Sequence, residues 1–180
     1  MKAPVGKFIV MITFFIALVF TVKAQEEGQK MPDEVKWLQK FSGKWTSTIT
    51  YTNEKNEVHK YSFNMEFRPT AGGWGLLAIE LANDPTMGRM NGTDLLGFDP
   101  YEKKLHCYTV DNMGTCHDHI CEWKAPDHFY MEHNSMRDGK KYQEKIDFRL
   151  KSTDVMEFNI GSFLDGKPSE TSTGTFKRAK

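Results

Sequence analysis

The sequence lacks the motifs by which common enzyme classes are recognised. It contains no G-x-S-x-G nucleophile elbow, no glycine-rich phosphate-binding loop and no H-E-x-x-H zinc motif. Asp99 and Asp111 are the carboxylates that most resemble catalytic groups, but both lie in predicted turns, where aspartate commonly caps the backbone. We therefore predict structural roles for both residues and a protein without catalytic activity.

A surplus of positive charge is also missing. The chain has 24 basic and 24 acidic residues, and without Lys2, Lys7 and Lys23 near the N-terminus the remainder has 21 against 24. No segment concentrates lysine and arginine with interleaved aromatic residues on one face. This distribution argues against a nucleic-acid partner and against binding to an anionic membrane surface.

Long hydrophobic runs are absent except at the N-terminus. Lys2 and Lys7 precede an uncharged stretch over residues 8–22, and Ala24 provides a small residue before a signal-peptidase site. The stretch is shorter than the roughly 20 apolar residues that a membrane-spanning helix needs. We predict a signal peptide over residues 1–24 with cleavage after Ala24, so that the mature protein is secreted or periplasmic, without stable membrane insertion. An uncleaved membrane anchor is the alternative.

Stretches with helical periodicity are scarce in the rest of the chain. Residues 25–31 are polar and are predicted to form a disordered leader before a single domain over residues 32–180. The one convincing helix runs from Pro32 to Phe41, because Val35 and Leu38 recur with Phe41 on one face.

After Gly43 the apolar residues follow a two-residue period, which is typical of β-strands. The clearest alternation lies in His59–Phe67, whose odd-numbered residues are aromatic or apolar apart from the first. Strands are predicted near residues 45–51, 59–67, 74–81, 92–98, 105–111, 115–123, 128–135, 141–150, 155–160 and 174–177. Turn residues separate them and no crossover helix intervenes. This pattern predicts an all-β fold, an antiparallel up-and-down barrel of about ten strands with a short N-terminal helix.

Several motifs occur in an order that resembles a known family. They are Gly43-Lys44-Trp45, Ala71-Gly72-Gly73-Trp74, Leu96-Gly97-Phe98-Asp99 and Val110-Asp111-Asn112-Met113-Gly114-Thr115. This set resembles the domain of unknown function 1579 family, bacterial and mostly secreted proteins of the lipocalin-like (calycin) kind. The resemblance implies a barrel in which Trp45 plugs one end against the N-terminal helix. Thr109 stands where the family pattern usually has tryptophan.

One set of apolar side chains is predicted to line a cavity inside the barrel. The set is Trp45, Tyr61, Phe63, Met65, Phe67, Leu77, Phe129 and Met131. Closed barrels of this strand number usually enclose more space than side chains fill. We therefore predict an exported, non-catalytic protein that binds a small apolar or amphipathic molecule, with His59 and His133 as candidate polar groups. A filled barrel with a structural or interaction role is the alternative.

A second set of residues combines thiols and imidazoles. It consists of Cys107, His117, His119 and Cys121. In one register of the strands around residues 105–111 and 115–123, Cys107 lies opposite His119 and the four residues form a candidate zinc site. In a register shifted by two, Cys107 lies opposite Cys121 and the two can form a disulfide. In the third interpretation these side chains form a wall without bonds between them, and in every case Cys116 is expected to be unpaired.

No cofactor is predicted, and zinc and haem are the alternatives. Haem-binding relatives among ten-stranded calycin-like barrels use an axial histidine late in the chain. His133 is the last histidine of this sequence, which counts against haem.

Overall fold

The computed structural model describes residues 30–180, in which ten antiparallel strands close into a barrel. The strands are β1 (Gly43–Thr52), β2 (Val58–Thr70), β3 (Gly75–Asp84), β4 (Gly88–Asp99), β5 (Lys104–Asp111), β6 (Cys116–Ala125), β7 (His128–Arg137), β8 (Lys140–Leu150), β9 (Val155–Leu164) and β10 (Lys167–Arg178). Each strand pairs with the next in sequence, and β1 closes the barrel against β10. The predicted all-β barrel of about ten strands is confirmed.

The described residues begin after the predicted signal peptide. That segment and residues 25–29 of the predicted leader lie outside the part of the chain that the structure describes. Within residues 30–180, no helix has the length and apolar character needed to cross a membrane.

The N-terminal helix is shorter than predicted. The α-helix α1 spans Asp33–Leu38, and a 3₁₀ turn follows over Gln39–Phe41. The chain tightens there because it must enter β1 at Gly43, whose φ of +115° suits glycine. Val35, Leu38 and Phe41 are buried on one face, as predicted.

Residues 33–41 plug one end of the barrel. Trp45 is fully buried, and its indole Nε1 donates a hydrogen bond of 2.7 Å to the carbonyl oxygen of Phe41. The Phe41 ring contacts the rings of Phe67 and Phe129, with centroids 5.5 and 5.6 Å apart. The Arg178 guanidinium lies over the Trp45 ring at 4.2 Å from its centroid. The expectation that Trp45 plugs the barrel against the helix is confirmed.

The register of β5 and β6 settles which cysteine faces which histidine. Cys107 is the direct partner of His119, and Cys121 is the partner of Leu105. All three cysteines are free thiols, with Cys107 and Cys121 buried and Cys116 exposed. The disulfide alternative is therefore not realised in the structure.

The hairpins β1–β2, β3–β4, β5–β6, β7–β8 and β9–β10 lie opposite the plug, at what we call the distal end. In the β5–β6 hairpin, Oδ1 of Asp111 accepts hydrogen bonds from the amides of Met113 and Thr115 at 2.8 and 2.9 Å. At the plugged end, Oδ1 of Asp99 accepts two amide hydrogen bonds from the turn that follows it. Both aspartates cap turns, as predicted.

The seam between β1 and β10 is tightly packed. Its ladder is interrupted at residues 47–49, and Ser47 Oγ donates a hydrogen bond of 3.0 Å to the carbonyl oxygen of Thr175 instead. A Cβ atom at Gly174 would lie 2.6 Å from Cδ1 of Ile49. Glycine therefore allows the two strands to close the barrel.

Candidate functional site

The barrel encloses a cavity of about 250 Å³ whose lining has an apolar part and a polar part. The apolar side chains are Phe41, Phe63, Met65, Phe67, Met90, Leu96, Cys107, Phe129, Met131, Ile146, Phe148, Phe158 and Ile160. The polar and mixed side chains are Tyr61, Glu80, Asp94, Thr109, Asp111, Thr115, His117, His119, Arg137, Tyr142, Glu144 and Glu170. Since Phe41 belongs to the plug and Arg137 to a distal hairpin, the lining changes from apolar to polar along the barrel axis.

Most of the predicted lining residues face this cavity. They are Tyr61, Phe63, Met65, Phe67, Phe129 and Met131. Trp45 is buried against the plug and does not line the cavity. The prediction for Leu77 is wrong, because β3 buries Leu76 and Ala78 completely and places Leu77 on the outer face, where its partner Leu95 is exposed.

Three histidines and a glutamate meet in the polar part of the barrel. His117 and His119 occupy alternate positions of β6, and His133 on β7 stacks on His117 with ring centroids 4.0 Å apart and planes 10° apart. Glu144 on β8 is the direct strand partner of His133. Its Oε1 lies 2.9 Å from Nε2 of His119 and 3.5 Å from Nδ1 of His117.

The charges of this cluster depend on one another. Burial acts to raise the pKa of Glu144, but its hydrogen bonds and attraction to His117 and His119 outweigh burial and hold the pKa far below its usual range. Burial lowers the pKa of His133, and the neighbouring charges of His117 and His119 lower it further. Glu144 is therefore a carboxylate, and His133 is neutral at neutral pH.

The structure corrects the predicted zinc ligand set. The donor atoms that lie within 4.8 Å of one another belong to His117, His119 and Glu144. Cys107 and Cys121 do not belong to this group, and burial raises the pKa values of both thiols well above the usual value.

Glu144 escaped the sequence analysis although a signal for it was present. It belongs to an inward-facing row of β8 that otherwise carries Tyr142, Ile146 and Phe148. A carboxylate in such a row needs a partner inside the barrel, because an unpaired buried charge is costly. Its partners lie on β6, however, and the sequence pattern does not show which side chains meet across two strands.

Two further carboxyl groups, those of Glu80 on β3 and Asp94 on β4, line the polar part of the cavity. Burial raises the pKa of Glu80 well above its usual value, and the charge of Asp94 raises it further. Burial raises the pKa of Asp94 as well, and its Oδ1 is buried without a hydrogen-bond partner. Within residues 30–180, neither carboxyl forms an ion pair with lysine or arginine. This part of the cavity therefore holds two buried carboxyl groups without a lysine or arginine paired to them.

The two predicted polar groups have different roles. His59 lies outside the cavity lining, and its Nε2 is 2.6 Å from Oδ2 of the buried Asp84. The other oxygen of Asp84 accepts hydrogen bonds from the amides of Thr86 and Met87, so this pair supports the β3–β4 turn. His133 is likewise absent from the cavity lining, but it stacks on His117 as a member of the histidine cluster.

Comparison with known proteins identifies a family and similar folds. The family model described as "Protein of unknown function (DUF1579)" matches residues 30–178. The fold is similar to that of the protein Rv2717c from M. tuberculosis, at 11% identity and a TM-score of 0.61, over 84% of this chain and 100% of that chain. It is also similar to the S-type phycobiliprotein lyase CPES from Guillardia theta, at 13% identity and a TM-score of 0.55, over 84% of this chain and 98% of that one. No curated protein has a significantly similar sequence.

Proposed function

This chain belongs to the DUF1579 family of proteins of unknown function, and we propose that its barrel binds a small amphipathic molecule with a positively charged head group. The observation that carries the proposal is the division of one cavity into an aromatic part next to the plug and an acidic part towards the distal end. A molecule with an apolar tail and a cationic head matches both parts.

The apolar part favours a short hydrocarbon or ring system. Phe63, Phe129 and Phe158 are buried and contribute ring surface to the cavity. Each methylene group moved there from water contributes about 0.8 kcal/mol. The cavity of about 250 Å³ lies just below the roughly 300–1,000 Å³ of typical small-molecule pockets. The ligand is therefore a small molecule rather than a long-chain lipid.

The polar part favours a cation. Five carboxyl-bearing side chains line the cavity, whereas Arg137 is the one guanidinium among the lining residues. Burial raises the pKa values of Glu80 and Asp94, and the charge of Asp94 raises that of Glu80 further. An ammonium group placed beside them favours their ionised forms, because a nearby opposite charge stabilises a carboxylate.

We propose that binding is not coupled to catalysis. The Cys107 and Cys121 thiols are protonated and buried, and they lack the low pKa of a nucleophilic cysteine. We also propose that binding takes place outside the cytoplasm, following the predicted signal peptide. Intact-mass analysis of the mature protein tests this: a chain that begins at Gln25 supports export, and an unprocessed chain contradicts it.

The binding proposal is tested by calorimetric titration with a matched pair of probes, octylamine and octanoate. The two have equal chain lengths and opposite charges at neutral pH. Octylamine is expected to bind, and octanoate to bind more than about tenfold more weakly, because juxtaposed like charges cost several kcal/mol. Equal binding of both probes contradicts a cationic head group, and absence of binding by either contradicts the proposal as a whole.

The contribution of the acidic part is tested with Glu80→Gln. This substitution keeps the shape of the side chain and removes the carboxyl group, so octylamine affinity is expected to fall. The matched control is Glu157→Gln, because Glu157 lies on the outer face and does not line this cavity. An unchanged affinity in Glu80→Gln contradicts the assigned position of the head group.

A further inference from the structure

We propose that His117, His119 and Glu144 form a binding site for a zinc ion. The proposal goes beyond amphiphile binding and does not depend on it, since either activity can exist without the other. Two imidazoles and one carboxylate, with a further coordination position open, are a ligand set that zinc accepts. The three donor groups come from β6 and β8, two strands apart in the barrel wall.

The spacing of the donor atoms is close to what a zinc ion requires. Zinc lies about 2.0–2.2 Å from nitrogen and oxygen ligands, so two ligand atoms of a tetrahedral site are roughly 3.3–3.6 Å apart. Oε1 of Glu144 lies 3.5 Å from Nδ1 of His117 and 2.9 Å from Nε2 of His119. If Oε1 of Glu144 and Nε2 of His119 move apart by a few tenths of an ångström, they reach the separation of two ligand atoms in a zinc site.

The groups behind the ligands hold them in a suitable orientation. Nδ1 of His119 lies 3.4 Å from the carbonyl oxygen of Cys107 and can donate to it, so that a zinc ion can take the place of the proton between Nε2 and Oε1 of Glu144. The Tyr142 hydroxyl donates a bond of 3.1 Å to Oε2 of Glu144 and leaves Oε1 towards the histidines. Metal-binding histidines and carboxylates usually have such partners. The stacked ring of His133 fixes the orientation of His117.

The surroundings leave an open coordination position and supply favourable charge. All three ligands line the cavity, so a water molecule or a small donor has access to the bound ion from inside the barrel. Asp94 lines the same cavity, and its buried Oδ1 has no hydrogen-bond partner. A divalent cation bound inside the barrel adds positive charge to a cavity that contains this unpaired carboxyl oxygen.

Calorimetric titration of the metal-free barrel with zinc chloride, without any organic ligand, tests the proposal. We expect one ion to bind per chain. His119→Gln and Glu144→Gln are each expected to weaken zinc binding by about a hundredfold or more. Removal of a residue that only hydrogen-bonds to a metal ligand already costs about tenfold to a hundredfold in affinity. His128→Gln is the control, because His128 pairs with Asp147 and lies outside the cavity lining; it should leave the affinity unchanged.

Two readouts keep the test independent of folding defects and of the proposed ligand. Circular dichroism shows whether each variant retains the barrel, and the absorption spectrum of the cobalt-substituted wild-type protein reports tetrahedral coordination directly. A wild-type protein that binds neither zinc nor cobalt, or folded variants that bind zinc as the wild type does, would overturn the proposal. Neither outcome bears on octylamine binding.

Discussion

The indole Nε1 of Trp45 donates a hydrogen bond of 2.7 Å to the carbonyl oxygen of Phe41 and thereby joins the first strand of the barrel to its plug. Because Phe41 also forms part of the cavity lining, this bond connects the stability of the plug to the shape of the ligand site. Arg178 from the last strand covers a face of the indole, so the first and last strands of the barrel meet at Trp45.

Trp45→Phe is expected to destabilise the protein. The substitution removes the donor and leaves a buried carbonyl oxygen without its partner, which costs about 1–3 kcal/mol. Urea unfolding followed by circular dichroism measures the change in the free energy of unfolding. Trp37→Phe is the control, since Trp37 belongs to the plug but is only half-buried; equal losses in the two variants would count against the special role of Trp45.

Gly174→Ala is expected to lower the melting temperature. The added Cβ atom would lie 2.6 Å from Cδ1 of Ile49 and 2.8 Å from Oγ of Ser47, and overpacking of this kind costs about 1–3 kcal/mol. Gly97→Ala is the matched control, because a Cβ atom at Gly97, also within a strand, meets nothing within 4 Å. Similar melting temperatures for the two variants would show that the β1–β10 seam tolerates the extra atom.

Stability is expected to depend on pH through Glu80. Burial and the charges of Asp94, Asp111 and Glu144 raise the pKa of Glu80 in the folded state above its ordinary value of 4.5. Above that value the folded state therefore binds more protons than the unfolded chain does, so the stabilising contribution is complete below 4.5 and is lost as the pH rises through the folded-state pKa.

Glu80→Gln removes this contribution. As the pH rises from mildly acidic to mildly alkaline, the urea concentration at the unfolding midpoint is therefore expected to fall less for Glu80→Gln than for the wild type. Glu157→Gln, with its substitution on the outer face, should follow the wild-type curve. Parallel curves for Glu80→Gln and the wild type would contradict the raised pKa.

The three thiols are expected to differ sharply in reactivity. Cys116 is exposed, whereas Cys107 and Cys121 are buried and have raised pKa values, and thiols react as thiolates. Iodoacetamide should therefore alkylate Cys116 in the native protein and all three cysteines after unfolding, as intact-mass measurements show. A protein that gains a single label even after unfolding without a reductant would contain a disulfide and contradict the structure.

The architecture was predictable because inward and outward residues alternate so regularly. The short turn over residues 112–114 also leaves few registers for β5 and β6, and one of the two that the sequence favours places Cys107 opposite His119. Leu77 was misplaced because β3 carries several consecutive apolar residues, and a run without alternation does not show which face is buried.

The site was predictable only in part. His117 and His119 lie on one strand, so their common face follows from the period of two. Glu144 joins them through the registers of two further strand pairs, and its role depends on distances that no local pattern fixes. The acidic pair of Glu80 and Asp94 was missed for the same reason, since the two residues are neighbours across β3 and β4 rather than along the chain.

The most direct test of ligand binding inside the barrel is a calorimetric titration of octylamine into a pair of variants with tryptophan at adjacent positions. Leu96 lines the apolar part of the cavity and is 3% exposed, whereas its neighbour Leu95 lies on the outer face and is 52% exposed. We expect folded Leu96→Trp to lose octylamine binding because the larger ring fills the cavity, and Leu95→Trp to bind as the wild type does. Undiminished binding by folded Leu96→Trp would place the ligand somewhere other than inside the barrel.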